Sequence, residues 1–137
     1  MRFYAMGNMY LSSIQQGIQA AHALGEMVLT YNQPELRVDY KFHDWLENHK
    51  TMVLLNGGRS VDLVAMLELL KRPENTGLPI GWFCEDDDSL QGILTTVAVV
   101  LPERLYGVSR DEIMDHPDMT DWEKELMMTI KSMSLAR

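Results

Sequence analysis

"TMVLLNGGRSVDLVAMLELLKRP", residues 51–73, reads as a strand, a glycine turn and a helix in direct succession. Residues 51–56 form a short aliphatic run, the pattern of a buried strand. From Ser60 to about Lys71, Leu63, Met66, Leu67 and Leu70 recur at helical spacing and mark one inward face. Lys71 and Arg72 suit the negative end of the helix dipole, and Pro73 closes the helix. Between strand and helix lie Gly57, Gly58, Arg59 and Ser60. Backbone N–H groups at such a junction, together with the helix dipole, suit an anion. Glycine lets the backbone approach a phosphate, and Arg59 can add a bidentate contact. The Gly-Lys-Ser/Thr ending of a Walker motif is missing. The alternative is a tight turn with Ser60 as the helix N-cap.

Before this unit, "RFYAM" (2–6) reads as a first strand ending at Gly7-Asn8. A helix follows from about Ser13 to Tyr31, with Ser12 or Ser13 as N-cap and Gln33-Pro34 as its stop. Ile14, Ile18, Ala21, Leu24 and Val28 fall on one face of it, which predicts the inward side. "FHDWLENHK" (42–50) reads as a short helix capped by Asp44, with Trp45 as a buried anchor. Beyond the unit, "LPIGWFCE" (78–85) is a third strand, "DDDSLQG" a loop, and "ILTTVAVVLP" (93–102) a strand apolar enough to be central. The succession implies a single-domain α/β fold: a mixed four-stranded sheet with helices packed on both faces.

The tail carries two capping-box signatures. Ser109–Glu112 precedes a short turn or helix, and Thr120–Glu123 opens a longer helix with Trp122, Leu126, Ile130 and Met133 on one face. That face must be covered by the sheet or by another subunit. The expected division is an α/β core over 1–104 and a C-terminal helical extension over 105–137, with homo-oligomer formation through the tail helix. Eleven methionines, four of them between Met119 and Met133, fit an adaptable packing surface.

Twelve basic against twenty acidic residues give a net charge of −8. A protein gripping a nucleic-acid backbone shows the opposite balance, so extended DNA or RNA contact is not expected. A single cysteine, Cys84, excludes an internal disulfide framework, and a reducing cytoplasm is the simplest home. Met1 leads straight into a strand-like run, so no secretory leader is expected, and no apolar run approaches the ~20 residues of a membrane helix.

If the first two strands are parallel, both following turns share one rim of the sheet, where open α/β sheets bind ligands. Asn8, Tyr10, Ser12, Ser13, Gln15, Gln19, Asn56, Gly57, Gly58, Arg59 and Ser60 then border one crevice, with Asp86 from the third strand's loop. The acidic run "CEDDDS" (84–89) can supply a base or hold a divalent ion, or it is simply a solvated turn. His22, His43, His49 and His116 form no spaced metal set with Cys84, so neither a metal nor a cofactor is expected. His22 reads as structural. Cys84, flanked by acids, is a poor nucleophile.

Several of these stretches resemble the type-2 peptidyl-tRNA hydrolases. "GIQAAHAL" (17–24) places Gln19, His22 and Ala23 on the Gln, His and Ala of that family's first-helix motif. "TMVLLN" resembles its second strand, "TGLPIGWFCEDD" (76–87) its GLP…D segment, and "TTVAVVLP" (95–102) its last strand. The resemblance runs over about 1–104, in order, and is closest in look to divergent, phage-encoded members. It implies catalytic roles for Gln19, for Asp86 (or Asp87 or Asp88) and for Thr95 (or Thr96). The family's helix-start lysine falls on Gln15, and no lysine precedes Lys41. Its loss removes a cation that stabilises a developing oxyanion.

Two functions follow as expectations. One is a non-enzymatic binder holding a small phosphorylated or nucleotide-like ligand at two helix N-termini, in a viral setting by sequestering a host nucleotide immune signal. The other is a peptidyl-tRNA or aminoacyl-tRNA hydrolase with altered catalytic residues, which would engage the tRNA 3′ end.

Overall fold

A computed structural model describes residues 1–31, 40–85 and 93–136. In chain order the elements are β1 (Arg2–Asn8), α1 (Ser13–Tyr31), α2 (Tyr40–Asp44) running into a π-helical turn (Trp45–His49), β2 (Met52–Gly58), α3 (Ser60–Leu70), β3 (Ile80–Glu85), β4 (Ile93–Leu101), α4 (Glu103–Tyr106), α5 (Arg110–Ile113) and α6 (Asp121–Lys131). The sheet order is β2-β1-β4-β3, with β1 and β2 parallel and β4 antiparallel to both of its neighbours. The central position of β4 agrees with its apolar sequence: from Leu94 to Leu101 every residue is buried.

Strand alternation divides the core in two. Phe3, Ala5, Ala98 and Val100 face α1, Phe42 and Trp45. Tyr4, Met6, Val97, Val99 and Leu101 face α3 and the tail, including Leu105, Ile113, Trp122, Leu126 and Ile130. Helices therefore cover both faces of a single mixed α/β domain, and the tail shares a core with the sheet. The apolar face of α6 lies against its own chain, with Trp122 Nε1 donating to the Leu69 carbonyl at 2.9 Å. After α6 the chain continues along β2, where Asn56 N donates to Ser134 O (2.8 Å) and Ala136 N to Leu54 O (2.9 Å). No helix among the described residues is long and apolar enough to cross a membrane.

Three local expectations are corrected. The inward face of α1 is not Ile14, Ile18 and Ala21; Ile14 is 77% and Ile18 50% exposed, and the buried residues are Gln16, Gln19, Ala20, Ala23 and Met27. Small side chains let the helix lie close to the sheet: a Cβ on Gly81 would sit 2.3 Å from Met27 Cγ. The α3 N-cap is Arg59 rather than Ser60; Asp62 Oδ2 accepts the Arg59 amide at 2.9 Å. The short helix begins at Tyr40 and ends at Asp44, which stands at the N-cap position of the π-helical turn but makes no side-chain cap bond; its carboxylate accepts instead from Asn48 Nδ2 at 2.9 Å. β1 also extends past its expected end, through Gly7 and Asn8. Gln33-Pro34 lies outside the described residues.

Of the two capping boxes expected in the tail, the one at Thr120 forms, whereas Ser109 stands at the N-cap of α5 with no side-chain cap hydrogen bond. Of the two N-cap candidates for α1, Ser12 makes the reciprocal bonds. Gln15 N donates to Ser12 Oγ (3.2 Å) and Ser12 N to Gln15 Oε1 (3.1 Å); Glu123 N donates to Thr120 Oγ1 (3.1 Å) and Thr120 N to Glu123 Oε1 (3.0 Å). Glu123 Oε2 also accepts from Arg104 Nη2 at 2.6 Å. Burial pushes the Glu123 carboxyl up, but hydrogen bonds from Arg104 and Thr120 outweigh it and hold the group below the ordinary glutamate value. A depressed carboxyl contributes stability above its unfolded pKa (about 4.3) and loses it as pH falls through the folded value. Unfolding free energy is thus expected to fall with acid below about pH 4, and Arg104→Met to show a lower plateau with a shallower fall. Urea titrations from pH 3 to 7 check this; identical slopes for the two proteins would refute it.

Candidate functional site at the carboxyl rim of the sheet

Because β1 and β2 are parallel and β4 runs opposite to β1 and β3, one rim collects the carboxyl ends of β1, β2 and β3 and the amino end of β4. Asn8 and Ser60, 52 residues apart, meet there with Asn8 Nδ2 donating to Ser60 Oγ at 3.1 Å. The two turns thus share a rim, as the parallel pairing requires.

Two amides of the glycine turn have side-chain partners within the chain: Gly58 N donates to Asn56 Oδ1 at 2.9 Å and Arg59 N to Asp62 Oδ2 at 2.9 Å. In the turn after β1, Tyr10 N donates to Asn8 Oδ1 at 3.0 Å. The first turn of α3 already carries the Asp62 carboxylate where an anion binds best, and Arg59 Nε lies 3.5 Å from the same carboxylate. The glycines have packing reasons of their own. A Cβ on Gly57 would lie 2.5 Å from Leu63 Cδ2, and Gly58 has φ +89°, a conformation that L side chains rarely adopt. Ser12 and Gln15 are engaged in their capping box, while Tyr10 and Ser13 are exposed.

A second cluster forms between α1 and the β3–β4 pair. Gln19, 8% exposed, donates from Nε2 to Glu85 Oε2 at 2.9 Å. Thr95, 3% exposed, has Oγ1 at 3.2 Å from Gln19 Oε1 and 3.1 Å from Phe83 O, two acceptors sharing one hydroxyl hydrogen. A register shift makes this possible. Phe83 pairs with Thr96 but Cys84 pairs with Leu94, so Thr95 is the extra residue of a β-bulge. Leu94 and Val97 keep to the α3 face, and the bulge turns Thr95 towards α1.

Beside this cluster, Gln16 Oε1 and Thr96 Oγ1 are buried without a hydrogen-bond partner among the described residues. Gly7 joins them in space: it pairs with Thr96, and a Cβ there would lie 3.3 Å from Gln16 Oε1. One such buried orphan costs about 1–3 kcal/mol, so each calls for a partner such as an ordered water.

Gln19 and Thr95, singled out from the sequence, are therefore in contact, whereas Asp86, Asp87 and Asp88 lie outside the described residues. The carboxylate bonded to Gln19 is Glu85, which the sequence offered only as one acid of a run. Its signal was parity: Phe83 and Glu85 share one face of β3, while Gln19 and His22 share one face of α1. His22 is exposed, and its ring stacks on Phe83 with centroids 4.5 Å apart and planes 13° apart.

Comparison with known proteins gives no match, either to a protein-family model or to a curated protein.

Proposed function

We propose that this chain is a binding protein for a small nucleotide-like ligand, held at the carboxyl rim of a sheet that resembles the type-2 peptidyl-tRNA hydrolase scaffold. The observation carrying this reading is the convergence of Gln19, Thr95 and Glu85 near the buried, unpartnered polar atoms of Gln16 and Thr96. These groups recognise hydroxyls and amides. With the turn amides taken by Asn56 and Asp62, a ligand's phosphate is a lesser handle than its uncharged part. Sequestration of a nucleotide signal suits such a site.

Ester hydrolysis is the second reading, favoured by the line Thr95 hydroxyl–Gln19 amide–Glu85 carboxylate; the family resemblance assigns catalysis to the first two, with Asp86 rather than Glu85 as the carboxylate. Against turnover stands Gln15, which occupies the position of the family's lysine and is tied to the Ser12 amide. No cation is supplied there for an oxyanion.

A thermal-shift screen with AMP, ADP, cyclic AMP and cyclic dinucleotides, beside a peptidyl-tRNA hydrolysis assay, separates the two. A ligand present at 100 times its Kd is expected to stabilise the protein by about 2.7 kcal/mol, and Thr95→Val or Glu85→Gln to reduce that gain. Turnover of peptidyl-tRNA abolished by Glu85→Gln would establish the hydrolase instead. No stabilisation and no turnover would reject both.

A further inference from the structure

Resting on the binding reading above, we infer that His22 is the platform on which the ligand's base stacks, and that Glu85 takes the ribose hydroxyls of the same nucleoside. Four contacts align α1 with β3. Gln19 meets Glu85, His22 lies on Phe83, Met27 packs over Gly81, and Tyr31 Oη accepts from Ile80 N at 2.9 Å. The first two of these lie nearest the rim. Three residues of helix rise about 4.5 Å and two of strand about 6.7 Å, so ring and carboxylate are neighbours along the α1–β3 contact.

The Phe83 ring fixes the plane of the imidazole from beneath, and His22 is itself exposed. Helical side chains lean over the preceding turn, which here carries Gln19 and the half-exposed Ile18. A planar, largely apolar ring laid on His22 would cover Ile18 as well. Stacking of bases on aromatic side chains is strong and tolerant of base identity. A carboxylate has about four lone-pair sites, of which Gln19 uses one, and acidic side chains are established partners of ribose hydroxyls. The rim thus offers two different handles: a ring and a carboxylate for the nucleoside, and a turn whose amides are already engaged.

Calorimetric titration of the full chain with adenosine, AMP, 2′-deoxyadenosine and ribose 5-phosphate tests this. Adenosine and AMP are expected to bind within a few-fold of each other. His22→Ala should weaken both by roughly tenfold or more, and His22→Tyr should restore them. 2′-Deoxyadenosine should bind more weakly than adenosine to the wild type and equally weakly to Glu85→Gln. Undiminished AMP binding by His22→Ala, with loss in Arg59→Ala, would overturn the stacking assignment while leaving nucleotide binding intact. Binding of ribose 5-phosphate as tight as AMP would do the same. If no nucleoside or nucleotide binds the wild type, the function reading itself fails and takes this inference with it. Because His22 is exposed, the alanine variant is expected to unfold at the wild-type urea midpoint.

Discussion

Trp122→Ala is expected to destabilise the protein by about 3–5 kcal/mol, the range for losing a buried aromatic side chain. Trp122 is 6% exposed and packs in the core shared by the sheet, α3 and α6. Truncation removes that packing and leaves the Leu69 carbonyl without its indole donor. Against a total stability of about 5–15 kcal/mol, such a loss is about a fifth or more. Urea denaturation should show a lower midpoint with an unchanged slope, because the same surface is exposed on unfolding. A change below about 1 kcal/mol would mean that α6 is an appendage rather than part of the core.

On the opposite face, Trp45→Ala is expected to cost a similar amount, about 3–5 kcal/mol. Trp45 is 2% exposed, stacks on Phe3 with ring centroids 5.2 Å apart, and donates from Nε1 to the Thr51 carbonyl at 2.8 Å. That carbonyl also accepts the Phe3 amide at 2.9 Å, so one oxygen ties the π-helical turn to the start of the β1–β2 pairing. Trp45→Phe keeps most of the packing and loses the indole donor, and about 1–2 kcal/mol is expected for it. The difference between the two variants, measured by the same titration, separates packing from hydrogen bonding. Equal losses would show that the indole hydrogen bond, not the ring, holds this turn.

The interior position of the two tryptophans illustrates what could be read in advance. Trp45 was legible as an anchor because it is the largest apolar side chain of an otherwise mostly polar stretch. Trp122 was legible as part of an apolar face, but whether that face met the sheet or a second chain was not. All four strands ended within two residues of their expected limits on the strength of apolar runs and turn residues alone, β1 running on through Gly7 and Asn8. The phase of α1 failed because two stripes compete on it. Ile14, Ile18 and Ala21 are the more apolar, but Ala20, Ala23 and Met27 are the ones that fit against Gly81 and the small face of β4. The isoleucines were left outside, beside the candidate site.

Of that site, Gln19 and Thr95 were identified by their resemblance to a family motif. Glu85 was hidden in an acidic run, and the bulge that turns Thr95 towards Gln19 depends on how β3 and β4 pair.

The sequence by itself determined the order of strands and helices, the capping box at Thr120, and the central place of β4, because those follow from patterns among residues a few positions apart. Only the tertiary structure decided which face of α1 is buried and that Glu85 joins Gln19. Each of those is set by a partner many residues distant, and no local pattern encodes the shape of a partner.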